Sequence, residues 1–171
     1  MGIKWRDINQ GSEPSMRQVV YGDDARYTEW AAKRIGVQFP PNSVAIGLCR
    51  ADDIGAPGGD RDSVGRLIIA SVVFEGFSEC DCNMHVASDG TGRWLTREFL
   101  VRCFAYPFIQ CGLRRVTGKV PAKNTAALKF DQGLGFRIEG RCAEAMPDDD
   151  IIILGLLKRN CRFIPQEQHH G

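Results

Sequence analysis

The sequence predicts a single α/β (α+β) domain in which a central mixed, mostly antiparallel sheet of about seven strands is flanked by helices. Three observations carry that prediction. The chain of 171 residues is long enough for one buried core and too short for two ordinary ones, and its 43% hydrophobic and 25% charged residues are the balance of a soluble globular protein. Seven strand-like runs and three stretches of helical spacing follow one another as β-α-β-β-β-α-β-α-β-β, a mixed order. The stretch Asn124 to Gly140, NTAALKFDQGLGFRIEG, is one αβ unit. Ala126, Ala127, Leu128, Phe130 and Leu134 recur at helical spacing, Gly133 and Gly135 close the helix, and Phe136 and Ile138 restart the pattern with period two as a buried strand.

In chain order, residues 1–16 are polar and uneven and are expected to be an N-terminal extension. Arg17 to Tyr21 reads as a short first strand with no evident partner. Gly22-Asp23-Asp24 offers an N-cap to ARYTEWAAKRIG, whose Tyr27, Trp30, Ala31 and Ile35 form one apolar face and whose Gly36 ends it. A Phe39-Pro40-Pro41-Asn42 turn precedes a strand over Val44 to Cys49. Arg50 to Ser63 contains Gly55, Pro57, Gly58 and Gly59 with Asp52, Asp53, Asp60 and Asp62, and is expected to be the exposed loop of a long hairpin. A solvated insertion is its ordinary reading, and an acidic flap beside an acceptor its functional one.

Leu67 to Phe74, LIIASVVF, should be a central strand buried on both faces. Cys80 to Val86 is read as the next strand, broken by Ala87 to Gly92. A long helix is then expected from Arg93, RWLTREFLVRCFAYPFIQ, ended or kinked by Pro107. LRRVTGKVPAKN runs as a strand to Pro121 and hands over to the helix of the αβ unit. Ile151 to Leu157 is the last strand, and residues 165–171 are a polar tail, which leaves 17–164 as the domain.

A net charge of +1 argues against a nucleic-acid or membrane-surface footprint, although Arg114, Arg115, Lys119, Lys123 and Lys129 cluster in sequence. No apolar run approaches a membrane span and the N-terminus lacks the apolar core of a signal peptide, so a cytoplasmic protein is expected. Seven cysteines, an odd number set mostly in apolar patterns, read as reduced core residues. Cys80-x-Cys82 with His85 nearby invites a metal reading. In a strand, however, the two cysteines share one face and His85 takes the other, and no second pair exists at ligand spacing, so no metal is expected.

Gly112, Leu113, Arg115, Val116, Asn124, Ala127, Leu134, Gly135, Phe136, Glu139 and Gly140 stand in the order G-L-x-R-V, N-x-x-[AS], L-G-F and x-x-E-G. This resembles the second conserved half of the GNAT superfamily of N-acyltransferases, in particular the branch similar to ribosomal-protein N-terminal acetyltransferases. The resemblance covers the last half of the chain well and the first half only by pattern. It implies a GNAT-like fold, acetyl-CoA or another acyl-CoA as cofactor, and an acceptor site bordered by the loop of the first helix.

A strand that ends in a glycine-rich turn and opens a helix is a phosphate cradle, because the first helical N–H groups have no internal partner. In the family this place holds the pyrophosphate of acyl-CoA, with the motif [QR]-x-x-G-x-[GA]. Ala87-x-x-Gly90-x-Gly92 matches its glycines. Thr91-x-x-Trp94-x-Thr96 does not, yet it is preferred, since it puts Glu98 on the family's frequent Glu and reaches Gly112-Leu113 without a gap. The amides of Arg93, Trp94, Leu95 and Thr96 would then face an anion, with Arg93 and Arg97 adding charge; a plain helix N-terminus is the competing reading. The resemblance also places the pantetheine arm on the Asn124 side chain, beside Met84, Val86 and Ala87 and near Phe130, extending the sheet as an added strand. Asn124 would serve equally as an N-cap.

Acyl transfer to an amine needs a base for the nucleophile and a proton for the leaving thiolate. The family often places a Tyr seven residues after the Asn as that proton source, and this chain has Asp131 there. Either its pKa is raised by burial, or another group serves, or the thiolate leaves unassisted. His85 on the strand beside the thioester is the expected base, with Asp81 and Glu75 as alternatives acting through water. The expected activity is acyl-CoA-dependent N-acyl transfer, acetyl by preference, to a primary amine of unread identity, by a protein free to form a homodimer. The alternatives are a catalytically altered GNAT-fold binding protein, motivated by Trp94 and Asp131, and a nucleic-acid-modifying member of the fold.

Overall fold

A computed structural model describes residues 17–55 and 57–165 of the chain. The elements are β1 (Arg17–Val20), α1 (Asp24–Ile35), β2 (Val44–Ile54), β3 (Arg66–Glu75), β4 (Asn83–Ser88), α2 (Arg97–Ala105), β5 (Arg115–Pro121), α3 (Thr125–Leu134), β6 (Arg137–Met146) and β7 (Asp149–Leu157). The seven strands form one mixed, mostly antiparallel sheet in the order β1-β2-β3-β4-β5-β7-β6. β1 finds its partner in β2, antiparallel from Arg17 opposite Arg50 to Val20 opposite Gly47. The expected N-terminal extension and most of the polar tail lie outside the described residues.

Contacts divide the chain into two compact units, residues 17–73 with 86–103, and residues 74–85 with 104–165. In the first, Tyr27, Trp30 and Ala31 of α1 pack with Val20, Ala45, Cys49, Ile68 and Val73. Gly47 is required there, since a Cβ on it would stand 2.1 Å from the Tyr27 ring. Ile35, expected on the apolar face of α1, is 36% exposed because it stands in the last turn, next to the left-handed Gly36. Asp23 does not cap α1 with its side chain; its carboxylate instead accepts from the Ser63 amide at 2.9 Å and hydroxyl at 2.6 Å.

The loop expected to be solvated is folded onto itself. β2 continues to Ile54, five residues past Cys49, and Arg61 gathers the Asp53 carboxylate at 3.1 Å and the carbonyls of Gly58 at 3.1 Å and Gly65 at 2.9 Å. Asp62 is buried at 6% exposure and takes the Arg66 guanidinium at 2.7 Å.

Helix α2 begins at Arg97 rather than Arg93. Thr96 caps it by accepting from the Phe99 amide at 3.2 Å, a role that Thr fills better than the residues before it, and Pro107 turns its end into a π-helical turn over Tyr106–Gln110. In the second unit Phe104 stacks on Phe163 at 5.2 Å and lies 6.3 Å from Phe108 and from Phe136. β5 and β7 pair antiparallel over seven residues, while β6, paired with β7 alone, is an edge strand with two register shifts. The expected buried strand after Gly135 is thus exposed, with Ile138 at 52%, because nothing pairs beyond it among the described residues. Cys80 and Cys82 precede β4 rather than lying in it, and Cys80 is half-buried; Cys111 and Cys142 are exposed, so these are not core residues, whereas Cys49, Cys82, Cys103 and Cys161 are buried, and none of the seven forms a disulfide. Among the described residues no helix is long and apolar enough to cross a membrane, and no three His, Cys, Asp or Glu are grouped to hold a metal.

Candidate active site

The site is built around β4 and β5. The Cys80 and Cys82 carbonyls accept from the amides of Arg115 at 3.1 Å and Thr117 at 2.9 Å, and the β4–β5 register is the single parallel pair Asn83–Thr117. Paired residues share a face, so the two-residue period puts His85 on the face of Asn83 and Thr117, and Gly118 on the opposite face. His85 and Asp131 are therefore assigned to opposite faces of the sheet, because the Asp131 carboxylate lies against Gly118, 3.6 Å from where a Cβ would stand.

His85 Nε2 is 3.1 Å from Glu75 Oε1, and the two side chains are 16% and 17% exposed. Burial pushes the Asp131 carboxyl up to about 7, because the charged form is poorly solvated beside the sheet. At neutral pH that group is partly a neutral acid able to donate. Asp81 is engaged differently. Its Oδ2 accepts from the Thr117 hydroxyl at 2.6 Å and pairs with Arg115 Nε at 3.2 Å, while Arg115 also reaches Glu139 Oε2 at 2.8 Å. Gly155 leaves room for this network, since a Cβ there would stand 2.3 Å from Glu139 Oε1. Sequence reading did not find the network, although the two-residue period puts Arg115 and Thr117 on one face.

Asn124 caps α3, its Oδ1 accepting from the Ala127 amide at 3.1 Å. Phe130 is half-buried on α3, and in β4 Met84 and Ala87 are buried with Val86 half-buried. After β4 the chain turns through Gly90 and Gly92, both with positive φ. Arg93 and Arg97 are exposed and Leu95 is buried. Trp94 is 8% exposed and edge-on to Phe99 at 6.3 Å, so its ring is turned into the core rather than outward. The amides of Arg93, Leu95 and Thr96 donate within the loop, to Thr91 Oγ1 at 3.4 Å, Gly92 O at 3.3 Å and Trp94 O at 2.9 Å. In the register Thr91-x-x-Trp94-x-Thr96, the last motif position is the N-cap of α2.

No protein-family model and no curated protein sequence matches the chain. Solved structures do. A spermidine N-acetyltransferase from Vibrio cholerae in complex with CoA and spermine superposes with a TM-score of 0.61 at 12% identity, covering 85% of this chain and 98% of that one. A dodecameric spermidine N-acetyltransferase from the same organism, in an intermediate state, gives 0.63 at 12% identity over 85% and 95%. A chimera of the Vibrio cholerae enzyme and hSSAT gives 0.60 at 12% identity over 84% and 97%. At such identity the likeness establishes architecture, and the chain has the fold of the GNAT N-acetyltransferases.

Proposed function

We propose that the protein is an acyl-CoA-dependent N-acyltransferase, with acetyl-CoA as donor, that passes its acyl group to a primary amine by direct attack on the thioester. The observation that carries this is the one-pair register of β4 with β5, with a base candidate on one face beyond that pair and an acid candidate on the other. The stretch of β4 from Met84 to Ala87 would receive the amide-bearing arm of the donor as an added strand, and the Asn124 side chain and Phe130 are further proposed contacts of that arm. Arg93 and Arg97, at and just before the cap of α2, supply positive charge for its phosphates. His85 takes the proton of the attacking amine, and Asp131 gives one to the leaving thiolate. Asp81, bound to Arg115 and Thr117, shapes the acceptor face.

The acceptor is open, and polyamines are the first to test because the solved neighbours are named for spermidine. The ordered motif from Gly112 to Gly140 supports the branch similar to ribosomal-protein acetyltransferases, so a peptide N-terminus is the second. A cytoplasmic location and self-association, as in the dodecameric neighbour, belong to the same proposal. A second reading, a binding protein of this fold with altered catalysis, is favoured by the loop amides that donate internally and by Trp94 at the motif's glycine position.

Calorimetric titration with acetyl-CoA separates the two from a protein that binds no donor. Micromolar affinity is expected, on the order of 8 kcal/mol. In Asn124→Asp the cap is retained while the amide donor is lost, so weaker binding by an intact fold places Asn124 on the arm. Absence of binding by the unmodified protein overturns the acyltransferase proposal, and binding without turnover of any amine favours the second reading.

A further inference from the structure

The end of β3 is fixed more firmly than a strand terminus needs. Phe74 is fully buried with its ring 5.2 Å from that of Tyr106, and Phe77 meets the same ring edge-on at 6.4 Å. Between them Gly76 adopts φ +62°, and a Cβ on it would stand 2.7 Å from Asn83 Nδ2, so the turn sits directly on the β4 residue two before His85. Glu75 is thereby clamped between two aromatic anchors and a close-packed glycine, and its carboxylate meets His85 Nε2 at 3.1 Å. Among the described residues, the charged groups that contact or strand register places on this face include Glu75 from β3, Asp81 ahead of β4, Arg115 and Lys119 from β5 and Arg137 and Glu139 from β6; Asp81 and Glu139 are bound to Arg115.

We propose that Glu75 is a positioning residue, whose clamped carboxylate holds His85 in the Nε2–H tautomer and directs Nδ1 at the proton of the attacking amine. An ionised carboxylate only accepts hydrogen bonds, so the ring nitrogen facing it carries the proton. Nδ1 is then the basic nitrogen of the neutral ring. In the transfer the amine nitrogen bonds to the thioester carbonyl carbon, the C–S bond breaks, the amine proton passes to His85 Nδ1, and the sulfur leaves as thiolate to be protonated by Asp131 or solvent. The Glu75 carboxylate then faces the imidazolium that forms and stabilises it. This role rests on the acyl transfer proposed above, but the tautomer does not.

Two measurements on the full chain test it. Nitrogen NMR of the His85 ring, assigned with His85→Asn, should show the Nε2–H tautomer alone, with an Nδ1–H fraction appearing in Glu75→Leu. A tautomer unchanged in Glu75→Leu overturns the proposal. In turnover, Glu75→Leu should lower kcat about 100-fold, within the usual share of a general base, with acetyl-CoA affinity intact as evidence of folding. Glu75→Gln should recover part of the loss, and Glu75→Leu added to His85→Asn should cost nothing more. Additive losses, or full activity of Glu75→Leu, overturn the role. A locked tautomer in a protein that transfers no acyl group upholds the pair and sinks the acyltransferase reading instead.

Discussion

Asp131 is a half-buried carboxyl raised to about 7 by desolvation, and the sign of that shift fixes its effect on stability. Between the ordinary carboxylate range and pH 7 the folded state binds a proton that the unfolded chain has lost, so stability falls as pH rises through that window. Asp131→Asn should remove this dependence. The expected gain over the unmodified protein is on the order of 1–3 kcal/mol at pH 8 and nil at pH 4, read from urea midpoints, after discounting for solvent contact. If Asp131 also protonates the thiolate, the same variant should turn over more slowly despite its gain. Asp62 runs the other way. Burial works to raise its pKa, but the Arg66 amide and guanidinium and the Val64 amide outweigh it and hold the carboxyl below the usual range. Its stability is fully present above the ordinary carboxylate pKa and lost as pH falls through the folded value. Asp62→Ala leaves the Arg66 charge beside a cavity and is expected to cost about 3 kcal/mol, visible as a lower thermal midpoint at pH 7.

Among the elements, the cap of α3 and the binding role proposed for it fall on one residue, Asn124, and substitutions can part them. Asn124→Ala should cost about 1 kcal/mol through loss of the cap to Ala127, whereas Asn124→Asp should leave the melting temperature nearly unchanged. Across β5, β7 and β6 the chain Asp81–Arg115–Glu139 lies over Gly155, so Gly155→Ala is expected to push Glu139 off the sheet. Arg115 would then keep Asp81 and lose its second carboxylate. About 1–2 kcal/mol of destabilisation is expected, with faster amide exchange in β6, because an edge strand with two register shifts has little else to hold it. The Arg50 to Ser63 loop belongs at this scale too. Asp62 and Arg61 pair with charges brought from a few residues away.

For the whole molecule, 22 basic and 21 acidic residues leave no net field to hold a polyanion, so binding to duplex DNA or RNA should be weak and abolished by physiological salt, as fluorescence anisotropy would read. Tight, salt-resistant binding would revive the nucleic-acid reading. The order of ten elements was legible because each carries its own signal: the run LIIASVVF for β3, the Tyr27–Trp30–Ala31 spacing for α1, and the Asn124 cap with Gly135 as stop for α3. Where local signals were rivalled, tertiary contacts decided. β6, patterned like a buried strand, lies at an edge because β7 inserts between it and β5, whereas the start of α2 was set locally, by the Thr96 hydroxyl accepting from the Phe99 amide. The sequence alone therefore determined the fold class and the element order, since these follow from short-range periodicity and composition. Only the tertiary structure decided that Glu75 belongs to His85, Asp81 to Arg115, and Asp131 to an unsolvated place against Gly118, because hydrogen bonding and desolvation depend on which residues the strands bring together.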